Sequence, residues 1–353
     1  MLQLLNPVPE IDYGKYNKQL IGVREKIALL KGACFGLPNP QLLLSPTVLR
    51  EAIASSEIEN IATTLASVMQ AQLLPDSALQ QPDKEVLRYN KALNEGLALM
   101  ETLPLGSRVI NTIHDALLPN QNGFRKDQNV VVNLKTKEVI YTPPSAEVVP
   151  DLITDLEKFI HAEEPYIDPV IKTIISHYQF EAIHPYGDGN GRTGRILMIL
   201  CLMHYGLLDM PVLFISGYIN SHKQEYYSAL HNVTVNKDWD TYLDYMLTAF
   251  EIQAEQETTT LLKITELHDI IKREIRSSLP KIYSRDLVDA IFNKPWITPS
   301  AYSGIMGVIP QTATTHLKNL ERIGIMTPYK IGRHMFYVNT ALFNLLDGRA
   351  AGQ

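Results

Sequence analysis

The chain has 353 residues, of which 45% are apolar, so it can bury a substantial core and is long enough for two or three folded units. A formal charge of −6 argues against affinity of the whole chain for nucleic acid, although a local basic patch can still exist. The longest apolar run, 196–203, is far shorter than the roughly 20 residues that span a bilayer, and the N-terminus lacks an export signal, so we expect a cytoplasmic protein without membrane attachment.

Helical periodicity dominates the first part of the chain and predicts an N-terminal helical domain over 1–104. The stretch "SPTVLREAIASSEIENIATTLASVMQ" begins with a Ser-Pro start signal and spaces its apolar residues along one stripe. It predicts one amphipathic helix over about 46–70. Two further helices are predicted in "DKEVLRYNKALNEGLALMETL" and "VINTIHDALL".

The second part, 105–255, is predicted to be a helical core that carries one β-hairpin. At 129–144 the sequence changes to "NVVVNLKTKEVIYTPP", two short β-branched runs around a polar turn. Helices resume in "AEVVPDLITDLEKFIHAEEPY" and "DPVIKTIISHYQFEAIHP". The fold class is therefore mainly α.

The last part begins with a connecting helix, predicted over 256–279 because the helical pattern of 240–275 becomes increasingly polar. Over 280–345, three short helical segments are followed by "MTPYKIGRHMFYVN", two short strands around an Ile-Gly-Arg turn. That order predicts a winged helix-turn-helix.

The segment "HPYGDGNGRTGR", 184–195, is the densest group of polar residues in the chain. A plain glycine-rich turn needs one or two glycines but gives no reason for the acid, the amide and the two arginines together. A dinucleotide-binding GxGxxG loop must follow a buried strand, whereas the residues before this loop repeat at helical spacing and end in Pro185.

A phosphate-binding loop accounts for every polar residue of this segment. Glycines let successive N–H groups turn inward as an anion nest, and the helix that starts near Gly191 adds its positive end. Asp188 would repel a phosphate unless a cation bridges them, which indicates Mg²⁺. Arg192 and Arg195 lie three residues apart and can bind phosphate oxygens. His184, at the loop entrance, suits a general base.

These residues resemble the HPFx[D/E]GN[G/K]RxxR signature of the Fic family of protein adenylyltransferases, with Tyr186 in place of the usual Phe. The resemblance implies transfer of AMP from ATP to a Tyr, Ser or Thr hydroxyl of a target protein, including the chain itself. It implies that His184 is the catalytic base and that Asp188 holds Mg²⁺. The ATP-binding residues that it implies in the loop are Gly187, Asp188, Gly189, Asn190, Gly191, Arg192 and Arg195.

Two segments outside the loop also resemble family features. The hairpin at 129–144 resembles the flap that receives the target segment, where an extended peptide can add as another strand; an ordinary surface hairpin remains the alternative. The segment "SHKQEYYSALHNVT" resembles the one beside the adenine, and Tyr226 and Tyr227 are candidates for facing the base. Core packing is nearly as good an explanation for either tyrosine.

The segment "SSEIEN" fits the family's inhibitory pattern [ST]xxxE[GN], with Ser55, Glu59 and Asn60 at its fixed positions. The resemblance implies that Glu59 pairs with Arg195 and occupies the place of the ATP γ-phosphate. Breaking a buried ion pair costs about 3 to 5 kcal/mol, so one contact can inhibit strongly. A solvated charged face is the alternative, and removal of AMP by the same site stays open.

A regulator that reads DNA is the alternative function. The predicted recognition helix would present Thr312, Thr314, Thr315, His316 and Lys318, and the wing would present Lys330, Arg333 and His334. The basic surplus of 281–340 is modest, which favours weak, salt-sensitive DNA binding at best, or protein contacts instead. A homodimer is also left open.

Overall fold

The computed structural model describes residues 10–37, 40–75, 79–121, 123–132, 139–163, 166–332 and 334–348. These residues are mainly helical, which confirms the predicted class. The helices are α1 (Asn17–Phe35), α2 (Pro40–Ile58), α3 (Leu65–Ala71), α4 (Gln81–Met100), α5 (Ser107–Leu117), α6 (Val149–His161), α7 (Pro169–Ile183), α8 (Asn190–His204), α9 (Ser216–Ser221), α10 (Lys223–Asn236), α11 (Trp239–Ser278), α12 (Arg285–Asn293), α13 (Pro299–Met306), α14 (Pro310–Arg322) and α15 (Thr340–Leu346). The strands are β1 (Val131–Val132), β2 (Val139–Tyr141), β3 (Trp296–Ile297), β4 (Thr327–Ile331) and β5 (His334–Val338).

The chain forms two compact units, each assembled from separate segments. The first takes in the residues up to Lys31, Ala54–Ile61 and Arg88–Glu255. The second takes in Gly32–Ile53, Ala62–Leu87 and the chain from Gln256 onward. The predicted domain boundaries stay predictions.

The core of the first unit is the antiparallel pair α7 and α8. Nearly every residue of both helices is buried, including polar ones such as Lys172, His177 and Arg195. Helix α6 packs against α7, and α5 packs against α8 and α6. The short connection between α7 and α8 is thereby held on a rigid support.

The predicted hairpin at 129–144 is present as β1 and β2. They pair antiparallel with a shift in register after Val131, whose partner is Tyr141. The predicted polar turn falls on 133–138, outside the described residues. The hairpin belongs to the same unit as the loop between α7 and α8.

The predicted connecting helix, 256–279, is the continuation of one helix, α11, that begins at Trp239. In the second unit, α12, β3, α13, α14, β4 and β5 follow in the order of a winged helix-turn-helix. Strands β4 and β5 form the predicted hairpin, with Ile331 opposite His334. The sequence did not predict β3, because two residues are too few to show a periodicity. These residues pair with β5 and make the sheet three-stranded, in the order β3-β5-β4.

The single helix predicted over about 46–70 is wrong. Helix α2 begins earlier, at Pro40, and passes through Pro46, but it ends at Ile58; a separate helix, α3, begins only at Leu65. Asn60 has a left-handed backbone (φ 63), which stops α2. Thr64 is extended and caps the N–H of Ser67, which starts α3.

No helix within the described residues is long and apolar enough to cross a membrane.

Candidate active site

The loop of the HPYGDGNGRTGR segment joins the carboxyl end of α7 to the amino end of α8. Helix α7 closes when the N–H of His184 donates to the carbonyl of Phe180, and His184 itself is left-handed (φ 50, ψ 59). Pro185 follows and cannot continue the helix. Gly189, also left-handed (φ 77), precedes the first residue of α8. Two left-handed residues thus reverse the chain within six positions.

Tyr186 anchors the loop. Its buried ring stacks on that of His114, with the centroids 3.6 Å apart and the planes at 4°. Its hydroxyl donates to Asn111 Oδ1 at 2.7 Å, and His114 Nε2 lies 3.0 Å from the carbonyl oxygen of Asp188. The replacement of Phe by Tyr at this position therefore adds a hydrogen bond to α5 instead of leaving a buried hydroxyl unpaired.

Asn190 supports the loop from within. Its Oδ1 accepts from the N–H of Tyr186 at 2.9 Å, and its Nδ2 donates to the carbonyl of Tyr186 at 2.9 Å. The side chain is buried. These two hydrogen bonds hold the loop in shape. The phosphate contact that the family resemblance implies for Asn190 would be a separate function.

The amino end of α8 presents the predicted anion nest to a cavity of about 830 Å³. The residues of 187–191 line this cavity. Because the first N–H groups of a helix have no partner within it, they are available to an anion. Asp188 is exposed at the loop, and its Oδ1 accepts from the N–H of Gly189 at 2.6 Å.

The two arginines of the segment occupy different environments. Arg195 lines the cavity and is almost fully buried. Arg192 is also buried, but it is not part of the cavity lining, and its guanidinium lies 3.9 Å from Asp188 Oδ1. Arg195 thus lines the cavity and Arg192 does not, and phosphate binding by either arginine stays a prediction.

Arg195 is held by the end of α2. Its Nε donates to Ser55 Oγ at 2.8 Å, and one terminal nitrogen donates to the Ser55 carbonyl and to Glu59 Oε1, both at 2.9 Å. Burial alone would lower the pKa of Arg195, but Glu59, Tyr226 and Glu181 raise it above its ordinary value. The guanidinium of Arg195 is thus hydrogen-bonded to both Ser55 and Glu59.

Asn60 explains why Glu59 reaches this position. The N–H of Asn60 donates to the carbonyl of Glu57, and that of Ile61 to the carbonyl of Ser56, both at 3.0 Å. With Asn60 left-handed, these bonds form a Schellman motif, which ends α2 at Ile58. Only Gly or Asn adopts this conformation readily. The inhibitory pattern therefore has Gly or Asn after the glutamate because that residue adopts a left-handed backbone.

Gly191 leaves the space that Glu59 occupies. A Cβ at this position would lie 2.3 Å from Glu59 Oε1 and 2.9 Å from an Arg195 terminal nitrogen. Any larger residue at 191 would displace the carboxylate. Gly191 is thus required by the contact between α2 and α8 as well as by the nest.

Of the two candidate tyrosines, only Tyr227 is accessible. Tyr226 is buried, and its hydroxyl hydrogen-bonds His177 Nε2 at 2.7 Å. Tyr227 is 45% exposed, and both tyrosines line the cavity. The hydrogen bond to His177 fits core packing for Tyr226, while Tyr227 exposes more of its ring; contact of either with adenine stays a prediction.

Glu181 is a cavity residue that sequence reasoning missed. Within the described residues, its Oε1 is buried without a hydrogen-bond partner. Burial raises its pKa to about 7, with a smaller rise from Glu59 and an opposing effect of Arg195. Its place one turn before His184 on α7 was the available signal, but an acid on a helix usually faces solvent.

Glu181→Gln is expected to stabilise the protein at pH 8 and to stabilise it much less at pH 5. Because the folded pKa of Glu181 is raised from 4.5 to about 7, the folded state favours the neutral acid, and stability is lost as pH rises from 4.5 through 7. Glutamine mimics the neutral form at every pH. Melting temperatures at both pH values test this, with the exposed Glu57→Gln as the control; equal shifts at pH 5 and pH 8 would contradict it.

The fold and the loop define a mainly helical protein with a cavity at the amino end of a buried helix. Three family models match consecutive parts of the chain: "Fic/DOC family N-terminal" over 17–98, "Fic/DOC family" over 104–202 and "Protein adenylyltransferase SoFic-like, C-terminal domain" over 267–342. The chain belongs to the Fic family, and the predicted Fic helical core is confirmed.

The curated relatives match parts of the chain. A probable protein adenylyltransferase of Aquifex aeolicus is 43% identical over 88 residues, which cover 25% of this chain and 26% of the relative. The protein adenylyltransferase fic-1 of Caenorhabditis elegans is 27% identical over 180 residues, covering 47% of this chain and 33% of the relative. The chain therefore spans about a quarter to a third of the length of these relatives.

Solved structures agree on the fold. A Fic family protein from Desulfovibrio desulfuricans matches with a TM-score of 0.56 and 18% identity, over 91% of this chain and 95% of that one. Residues 134–508 of Fic-1 from C. elegans match with a TM-score of 0.54 and 22% identity, over 69% of this chain and 73% of that one.

Proposed function

We propose that the chain is a protein adenylyltransferase that transfers AMP from ATP to a hydroxyl side chain of a protein and is inhibited by its own Glu59. The observation that carries this proposal is the shared cavity lined by His184, by the nest of 187–191 and by Arg195. A general base, an anion site and a cation are the groups that nucleotidyl transfer requires. The names of the relatives support the same activity.

In the proposed reaction, the hydroxyl oxygen of the target attacks the α-phosphorus of ATP. A new P–O bond forms to the target, the bond from the α-phosphorus to the oxygen bridging the α- and β-phosphates breaks, and diphosphate leaves. His184 accepts the hydroxyl proton, which requires a neutral ring. Burial, followed by the charge of Arg125, lowers the pKa of His184 to about 4, so the ring is neutral at pH 7.

The nest and Arg195 have separate tasks in this proposal. The N–H groups of the first turn of α8 would stabilise the charge that develops on the phosphate during transfer, and because the helix fixes their orientation this would cost no reorganisation. Arg195 would hold the γ-phosphate once Glu59 has left it. The ATP γ-phosphate and the Glu59 carboxylate therefore compete for the same guanidinium.

Asp188 fits the Mg²⁺ that the family resemblance implies. Mg²⁺ is commonly bound through one or two carboxylates together with substrate phosphates, and Asp188 is an exposed carboxylate beside the nest. No cluster of three or more His, Cys, Asp or Glu suited to a metal occurs among the described residues, so the phosphates would supply the other ligands. When bound, Mg²⁺ would neutralise phosphate charge; Asp188 would hold it there.

The hairpin is the proposed docking site for the target. Val139 and Ile140 of β2 are 57% and 47% exposed, and Ile140 and Tyr141 line the cavity. Each strand of a two-stranded sheet has one free edge, so an extended peptide can pair there and bring a Tyr, Ser or Thr hydroxyl to His184. A segment of a second copy of the chain would satisfy the same geometry.

Transfer of label from ATP separates this function from its alternatives. With Mg²⁺ and cell lysate, ATP labelled at the α-phosphate is expected to label protein, whereas ATP labelled at the γ-phosphate is not, because AMP and not a phosphoryl group is transferred. The assay is expected to be most sensitive with the Glu59→Gly protein, which lacks the inhibitory carboxylate. Protein labelled from the γ-phosphate, or from neither position, would contradict the proposal.

DNA binding is not part of the proposed function. On the predicted recognition helix, α14, Thr315 and Lys318 are exposed, while His316 hydrogen-bonds Tyr302 at 3.1 Å. Ile305 near the end of α13 and Ile309 in the turn before α14 are exposed apolar side chains. A surface with few cations and with exposed apolar side chains does not favour binding to the phosphate backbone of DNA.

A further inference from the structure

Arg125 is a buried arginine in the connection between α5 and β1, and the motifs of the sequence do not include it. Its guanidinium donates to three main-chain carbonyls. Nε bonds to that of His184 at 2.9 Å, one terminal nitrogen to that of Asp127 at 3.2 Å, and the other to that of Pro144. The carbonyl of His184 belongs to the loop after α7, that of Asp127 lies just before the hairpin segment 129–144, and that of Pro144 lies at its end.

The loop carbonyls need such a donor. His184 is left-handed, a conformation that is unfavourable for a non-glycine residue and persists only where its surroundings fix it. The N–H of Arg125 also donates to the carbonyl of Pro185 at 2.9 Å. Residue 125 thus fixes two successive carbonyls that follow the end of α7, where a cation is also favoured by the helix dipole.

The hairpin is tied to the same loop by two other side chains. Tyr141 of β2 donates to the carbonyl of Ala182 at 2.6 Å, and Asn129 donates to that of Tyr186 at 3.1 Å. The first of these bonds joins β2 to the last turn of α7, and the second joins the start of the hairpin segment to the α7–α8 connection. The guanidinium of Arg125 bonds the His184 carbonyl, the Asp127 carbonyl just before the hairpin segment and the Pro144 carbonyl at its end.

The charge of Arg125 acts on His184 as well. Burial is the largest cause of the lowered pKa of His184, and the Arg125 cation is the next; Glu59 opposes them. Burial lowers the pKa of Arg125 from its ordinary value, but an arginine remains protonated at pH 7. Removing this cation would therefore raise the pKa of His184.

We propose that Arg125 is a positioning residue, which holds the general base and the target-docking hairpin in one fixed arrangement through a single guanidinium. The inference rests on the proposed function, since it treats His184 as the base and the hairpin as the docking site. It assigns Arg125 no contact with ATP. Its loss is therefore expected to slow transfer while ATP binding is retained.

Two substitutions in the Glu59→Gly protein separate geometry from charge. Arg125→Lys keeps the cation but cannot bond three carbonyls, so kcat for AMP transfer is expected to fall about tenfold or more while the acid limb of the pH profile stays in place. Arg125→Gln removes the cation as well, so the acid limb and the pKa of His184, followed by NMR of its ring Cε1–H, are expected to move to higher pH. In both variants the Kd for ATP is expected to change by less than about threefold. Loss of an interaction with ATP that contributes 1.4 kcal/mol would change it tenfold.

Arg108→Lys is the matched control, because Arg108 is an exposed arginine of α5. Circular dichroism and melting temperature establish that each variant is folded. If Glu59→Gly transfers AMP and both Arg125 variants match it in kcat and in the acid limb, the inference is overturned. If Glu59→Gly transfers no AMP, the proposed function fails; the NMR titration then still decides, since an unchanged pKa of His184 in Arg125→Gln overturns the inference and a raised one supports it.

Discussion

Replacing Glu59 by glycine is expected to raise kcat/KM for AMP transfer about 10- to 100-fold. The expectation follows from the charge-assisted hydrogen bond between Arg195 and Glu59 Oε1, at 2.9 Å. Bonds of this kind contribute about 1.5–3 kcal/mol, and each 1.4 kcal/mol is a factor of ten. The Glu59 side chain is 35% exposed, so solvent screens part of the attraction, and the estimate lies below that for a fully buried pair.

The variant preserves the rest of the site. Ser55 still accepts two hydrogen bonds from Arg195, so the guanidinium stays in place for the γ-phosphate. Glycine adds no steric conflict next to Gly191. The rates are measured as label transferred from α-labelled ATP to the protein itself and to lysate proteins, over a range of ATP concentrations.

Glu57→Gly is the matched control. Glu57 lies two residues earlier, in the last turn of α2, and accepts from Asn220 at 2.8 Å. This variant therefore introduces a glycine near the end of α2 without freeing the cation. If Glu59→Gly and the unmodified chain were equally active at all ATP concentrations, inhibition by Glu59 would be overturned. If Glu57→Gly activated the protein as much as Glu59→Gly does, the activation would come from loosening of α2 and not from the freed cation.

The sequence predicted the loop well because its determinants are local. Pro185 and the glycines dictate the chain reversal, and the following apolar run dictates a buried helix. The same reasoning failed at α2, where the apolar stripe continues through Ile58, Ile61 and Leu65 at helical spacing. A single left-handed residue, Asn60, interrupts the helix, and periodicity does not register one backbone angle.

The remaining parts of the site depend on contacts between distant segments. His114 lies under Tyr186 from 72 positions earlier, and Arg125 reaches His184 across 59 positions. Glu181 could be placed on α7, but its burial beside Arg195 depends on how α7, α8 and the end of α2 pack. Neither a motif nor a periodicity carries that information, because it resides in the tertiary arrangement.

Replacing His184 by alanine is expected to lower AMP transfer by about 100-fold or more while the Kd for ATP changes little. General base catalysis contributes about 10²–10⁴-fold, and the proposed ATP contacts are the nest, Arg195 and Asp188 instead of the imidazole. The effect is best measured in the Glu59→Gly protein, where transfer is fast enough to follow. Label transfer gives the rate, and calorimetry with ATP and Mg²⁺ gives the Kd.

The backbone at residue 184 requires a second variant. Alanine is disfavoured at the left-handed angles of His184, so His184→Ala could displace the loop, whereas asparagine tolerates this conformation. His184→Asn therefore removes the base with the least change in loop geometry, and it is expected to lose transfer equally. If His184→Asn retained transfer while His184→Ala lost it, the residue would act through the shape of the loop and not as a base. If both variants lost ATP binding together with transfer, His184 would belong to the nucleotide site, and the proton would have to be accepted elsewhere.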